Sequence, residues 1–268
     1  MVNTPTLPPG YAVLEPLSAQ EHLGWGLLPD RGCYPQAQGM SAVPLAVTEF
    51  AAAMWEYPIV FSGQGEAAVP IAMTSIAIGN NVFVDAQGQW QAGCHVPGLL
   101  RRWPFWMSVE QGEAFFWIDT TSSRLVRLVD DADALPLFDY LGNPNEALRQ
   151  VLLQMQQAAR DEHATQAFMQ ALSTHGLLKP GKLELPLPGY SRYQLDGFYV
   201  LDEARFNALP DAVLAQWLRN GWASLLGLHL QSMQRNWGRL QHMHFQRHAA
   251  AVARQKSDGA PSAERGAQ

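Results

Sequence analysis

Short apolar runs closed by glycine or proline dominate the first half of the chain, and helical periodicity takes over in the second. From Val43 onward Leu45, Phe50, Ala53 and Met54 recur on an approximate helical face, and Pro44 suits the first turn of such a helix. Pro58 closes it, because the residue before a proline is driven out of the α region. Ile59, Val60 and Phe61 then form a short buried strand ended by Gly63 and Gly65. Ile71 to Ile78 is an uncharged apolar run. Val82 to Asp85 leads into a turn at Gln87-Gly88 from which Trp90 returns, and Trp103 to Val109 and Ala114 to Asp119 flank Gln111-Gly112 as a second hairpin. Arg124 to Val129 reads as an edge strand, and Gly24 to Met40, with little periodicity, as loop.

Beyond residue 140 the pattern is largely helical. Asn143 with Pro144 forms a helix start, and Val151, Leu152, Met155 and Ala159 give that helix its apolar stripe to about Arg160. A separate helix covers Thr165 to Thr174 and stops at Gly176. Lys182 to Leu185 and Tyr193 to Leu201 read as strands, the second with a bulge or kink at Asp196-Gly197. Asp202 caps a short helix, Asp211 to Arg219 forms another, and a long helix runs from Trp222 to about Gln255. Its residues Leu226, Leu230, Met233, Trp237, Leu240 and His244 are spaced 4, 3, 4, 3, 4, a heptad-like seam. Such a seam packs on its own domain or joins two copies as a homodimer.

The sequence therefore predicts an α+β fold: a mainly antiparallel sheet over residues 57 to 130, joined by strands near 183 to 200, with helices on one side and a long C-terminal helix. Residues 1–10 are expected to be a flexible leader, 11–255 a single domain, and 256–268 a disordered tail. At 268 residues the chain is long enough for a sizeable core, and 47% hydrophobic with 16% charged residues excludes bulk disorder. A net charge of −6 argues against general nucleic-acid binding. Neither a basic region followed by an apolar one at the N-terminus nor a run of about 18 apolar residues occurs, so a cytoplasmic location without a membrane span is expected.

Candidate chemistry is sparse. Cys33 and Cys94 cannot build a disulfide framework and read as two reduced thiols. His244 and His248 have the i, i+4 spacing that can grip a metal, but no acidic ligand follows and HExxH is absent, so no metal and no cofactor are expected. Cys94 and His95 are adjacent, which on a strand turns them to opposite faces. Asp85 and Asp119 could form an acidic pair only if the fold brings them together. The most unusual stretch is Arg101-Arg102-Trp103-Pro104-Phe105-Trp106. Arginines beside aromatics can clamp a carboxylate or stack on a ring. The competing reading makes this a core strand whose arginines pair with internal carboxylates such as Asp119.

Several segments together resemble the SapC family, named after a protein of bacterial S-layer gene clusters. They are PLSAQEH at 16 to 22, VPLAVTEFAAAMWEYPIVF at 43 to 61, NNVFVDAQGQW at 80 to 90, HVPGLLRRWPF at 95 to 105, ID at 118 to 119, HGLLKP at 175 to 180 and LDGFYVLDEARFNALPD at 195 to 211. Cys94, His95, Gly98 and Trp103 depart from the family's usual string around the paired arginines. The resemblance implies an association with surface-layer systems and with proteins encoded beside flavin-dependent halogenase-like enzymes and outer-membrane receptors. It carries over no catalytic residue.

The resulting expectation is an accessory protein that binds a protein or peptide. The residues assigned to that recognition are His95, Arg101, Arg102, Trp103, Phe105 and Asp119. The alternative is an enzyme, or the partner of a halogenase-like enzyme, modifying a peptide or aromatic substrate.

Overall fold

The computed structural model describes residues 5–63, 65–110, 112–185 and 193–258. The N-terminal part contains β1 (Leu14–Pro16), α1 (Ala19–His22), β2 (Trp25–Leu27), β3 (Ala42–Pro44), α2 (Phe50–Ala53), β4 (Ile59–Ser62) and β5 (Val69–Met73). The middle contains α3 (Gly98–Arg101), β6 (Phe105–Glu110), β7 (Glu113–Asp119), β8 (Leu125–Arg127) and β9 (Leu135–Pro136). The C-terminal part contains α4 (Glu146–Thr174), β10 (Leu178–Pro180), β11 (Leu183–Leu185), β12 (Tyr193–Leu195), β13 (Tyr199–Leu201), α5 (Glu203–Asn207), α6 (Asp211–Arg219) and α7 (Trp222–Asp258). The fold is α+β, with antiparallel sheets and a long C-terminal helix.

The strands divide among four sheets, ordered β10-β13-β4-β5-β3, β1-β7-β6, β8-β2-β9 and β11-β12. Val43 and Pro44, expected to open a helix, instead pair with Ala72 and Ile71 across β3 and β5. Pro44 is tolerated there because β3 is an edge strand. The helical turn begins only at Val47, where the Glu49 carboxylate accepts from the Ala46 amide. Gly24 to Met40 is not all loop, since β2 crosses between β8 and β9. A Cβ on Gly26 would lie 2.6 Å from Leu128 and 2.8 Å from Ala134, so glycine allows that close approach.

The two helices expected over 143–174 are one, α4, and its N-cap is Asn145. The Asn143 amide serves the Asp139 turn instead, at 2.9 Å. Thr165 does not break α4, because its hydroxyl donates to the Asp161 carbonyl and accepts from the Val47 amide. The strand expected from Tyr193 to Leu201 is interrupted at Gly197, φ 82°, and becomes β12 and β13 in different sheets. Of the expected tail, residues 256–258 belong to α7 and the rest lies outside the described residues, as does Gln111 of the second hairpin turn.

Two apolar clusters hold these layers. The larger surrounds the five-stranded sheet and takes in Phe50, Phe61, Phe168, Leu172, Trp217 and Leu226. The smaller joins Leu27, Phe105, Ile118, Leu137, Leu148 and Met155. At 1.5 Å per residue α4 is about 43 Å long. Its first half packs on the smaller cluster through Leu148 and Met155, and its second half on the larger through Phe168 and Leu172. The helix thus spans a seam between two cores.

Helix α7 docks through a polar stripe. The His229 Nδ1–H donates to the Ile59 carbonyl at 2.7 Å and its Nε2 accepts from the Leu201 amide at 3.3 Å. The Ile59 amide donates to the Ser232 hydroxyl, and the Asn236 side chain donates to the Met54 and Tyr57 carbonyls. These contacts satisfy backbone groups of β4, of β13 and of the turn between α2 and β4 that would otherwise be buried unpaired.

Candidate functional site

A cleft of about 720 Å³ opens along the seam, with α4 from Ala147 to Thr165 as one wall. The opposite wall is built from two stretches far apart in sequence. One is the turn at Leu45 to Glu49; the other is the segment from His95 through α3 to Phe105. Arg124 and Asp30 also line it.

Glu49 joins the two stretches. One carboxylate oxygen accepts from the Gly98 amide at 2.7 Å and stands 3.0 Å from His95 Nε2; the other accepts from the Ala46 amide at 3.0 Å. Burial raises the cost of the charge here, but the hydrogen bonds from His95, Ala46 and Gly98 outweigh it and hold the carboxyl below its usual value. Glu49 is therefore an ionised anchor inside the cleft wall. Sequence reasoning did not single it out, although it is one of the two acidic residues, with Glu56, of the 43–61 segment that carried the family resemblance. An apolar helix face gives no sign that one of its polar positions will cap a segment 49 residues away.

The sequence-predicted site residues separate into groups. His95, Arg101 and Arg102 line the cleft, with Trp103 and Phe105 as buried members of the same wall. Arg101 reaches toward Glu49 at 3.8 Å with its side chain 57% exposed. The Arg102 guanidinium stacks over Trp106, 5.0 Å from the ring centroid, and its Nε is buried without a hydrogen-bond partner. No carboxylate among the described residues lies within ion-pair distance of it. Arg124 donates to the carbonyls of Leu28 and Trp103.

Asp119 is apart from the cleft. It is 1% exposed and accepts from the amides of Ala12, Val13 and Thr121, the Thr121 hydroxyl and the Trp103 indole. Its partners tie the N-terminal segment to the end of β7, and neither Arg101 nor Arg102 is among them. Asp85 caps its own turn by accepting from the amides of Gln87 and Gln89, so the two aspartates serve separate structures.

Cys33 and Cys94 are both free thiols. Burial pushes the Cys94 thiol up, and the Glu56 carboxylate adds to that effect against the Arg239 hydrogen bond. A thiol biased toward its neutral form is a poor nucleophile. Among the described residues no cluster of three His, Cys, Asp or Glu is placed to hold a metal ion, and no helix is long and apolar enough to cross a membrane.

Comparison with known proteins adds one relation. No curated protein and no solved structure matches the chain. The sequence profile of the SapC family matches residues 17–240, a span that contains both stretches joined by Glu49 and all of α4. The chain therefore belongs to the SapC family.

Proposed function

We propose that this SapC-family chain is an accessory protein that binds a protein or peptide in the cleft along α4. The observation that carries the reading is the state of Arg102. Its guanidinium lies in the cleft wall beside the Tyr11 hydroxyl, stacks over Trp106, meets no carboxylate among the described residues, and keeps its buried Nε without a hydrogen-bond partner. A planar guanidinium held in place is suited to receive a carboxylate through two parallel hydrogen bonds. Arg101, more exposed, supplies a second donor. Family membership supports a partner drawn from surface-layer or outer-membrane systems, met in the cytoplasm.

The test is affinity capture from the native organism with mass spectrometry, repeated with Arg101→Ala and Arg102→Ala. Loss of one arginine should weaken a captured partner by about 1 to 3 kcal/mol, the scale of a charged hydrogen bond. A partner retained at full strength by the double variant overturns the reading.

One observation favours an enzyme instead. The Glu49–His95 pair faces the cleft with side chains 11% and 17% exposed, and a carboxylate beside an imidazole can orient it as a base. That reading requires turnover of a peptide or aromatic substrate that His95→Ala abolishes while binding persists.

A further inference from the structure

We propose that the partner segment binds as an extended strand added to the open edge of β6, where a second groove continues from the cleft. The inference rests on the peptide-binding reading and specifies its geometry.

Strand β6 is the outer strand of the β1-β7-β6 sheet. Pro104 stands just before it, and the Asp119 amide donates to the Pro104 carbonyl. In an antiparallel ladder alternate residues face the partner strand, so Trp106 and Ser108 bond to β7 while Phe105, Met107 and Val109 face outward. Phe105 is already engaged: its amide donates to the Arg102 carbonyl and its own carbonyl accepts from the Tyr11 hydroxyl. The amides and carbonyls of Met107 and Val109 have no such partner among the described residues. Proteins usually blunt open edges with lysine, proline or a bulge. Between Phe105 and Val109 this edge carries none of them, and Val109 is 60% exposed.

The space beside this edge has the shape and lining for a strand. A groove of about 550 Å³ lies between β6 and α4. Met107 and Val109 form one side, and Met155, Ala158 and Ala159 the other. The small alanines leave room on the helix side for a side chain of the added strand. Arg102 lines both this groove and the main cleft. A segment lying on the edge would thus run toward the guanidinium that the proposed function uses, with Glu162 on the facing wall selecting against a second carboxylate there. The occupant is an extended peptide with an apolar side chain for the alanine slot and one carboxylate for Arg102. Backbone pairing would supply affinity, and these two side chains the selectivity.

The probe is a displayed library of random peptides of roughly six to seven residues, the usual length of a strand, selected on the full chain. Selected peptides are then measured on wild type, Val109→Pro, Val109→Ala and Arg102→Ala, with hydrogen exchange at the Met107 and Val109 amides. Proline at 109 removes an outward N–H and leaves the β6–β7 ladder intact, which an edge position allows. The expected result is roughly tenfold weaker binding to Val109→Pro, the loss of about one hydrogen bond. Val109→Ala should stay close to wild type, and both outward amides should slow their exchange when peptide is bound. Peptides that need Arg102 but are indifferent to Val109→Pro overturn the edge geometry and leave the proposed function standing. If no peptide is enriched, both are overturned. A melting curve for Val109→Pro matching wild type shows that lost binding is not lost folding.

Discussion

The amide of Gly98 donates to the Glu49 carboxylate at 2.7 Å, and this contact fastens the arginine-bearing helix α3 to the turn before α2. A Cβ on Gly98 would sit 3.3 Å from the same oxygen, so the contact leaves little room for any other residue. Removing the carboxylate leaves the Ala46 and Gly98 amides unpaired in the cleft wall. Glu49→Ala should lower stability by about 2 to 4 kcal/mol, the cost of two partly buried donors without acceptors. Glu49→Gln, which restores one acceptor, should lose about half as much. The ionised carboxylate is the stabilised form, so its contribution is present above the unfolded carboxyl range and is lost as pH falls through the lower folded value. Urea unfolding near neutral pH checks the magnitudes, and an alanine variant as stable as wild type would show the anchor to be dispensable.

The two arginines should separate in stability. Arg101 is mostly exposed and its 3.8 Å approach to Glu49 is a loose one, so Arg101→Ala should shift stability by no more than about 0.5 kcal/mol. Arg102→Ala loses its stacking on Trp106 and should cost about 1 kcal/mol. Thermal unfolding of both variants measures this, and it also corrects any binding loss for the unfolded fraction. Equal, large losses for both would make the arginines structural.

Asp119 has a different role in the fold. Three amides, a hydroxyl and an indole donate to one buried carboxylate. Asp119→Ala should destabilise by at least about 3 kcal/mol, since several buried donors lose their acceptor together. The remaining folded fraction should bind a partner normally. A stable Asp119→Ala variant with weakened binding would instead return this residue to the recognition site.

Much of the fold was legible because local signals and tertiary packing agree. The β6–β7 hairpin, α6 and the stop at Gly176 follow from turn residues, caps and short-range periodicity. The failures occur where a distant strand decides. Val43 reads as helix until Ala72 pairs with it, and Trp25-Gly26-Leu27 reads as loop until β8 and β9 flank it. The paired arginines were visible as an unusual composition. Glu49 was not, because its importance comes from contacts at separations of 46 and 49 residues, which leave no periodic trace. The polar stripe of α7 was hidden for the same reason: His229, Ser232 and Asn236 look like solvated positions until their backbone partners are placed.

That stripe gives the fold a specific acid sensitivity. His229 is fully buried, its Nδ1–H donating to the Ile59 carbonyl and its Nε2 accepting from the Leu201 amide. Both nitrogens are used in the neutral tautomer, and a second proton would displace the Leu201 contact. Burial depresses the imidazole pKa to about 4, only partly opposed by the hydrogen bond to Ile59. The unfolded chain, with an ordinary value near 6.5, therefore binds the proton first as pH falls. Above about pH 6.5 the residue is neutral in both states and does not affect the balance. Between 6.5 and 4 the unfolded state gains a proton that the native state refuses, and stability falls with pH. The full loss is about 3 kcal/mol once pH drops below the folded value. His229→Gln can donate to Ile59 without titrating, whatever its stability at pH 7. Its unfolding free energy, followed in urea from pH 7 to 4.5, should fall less steeply than that of wild type by close to one proton. Parallel slopes for the two proteins would mean that His229 titrates alike in both states, and the buried neutral imidazole would have to be abandoned.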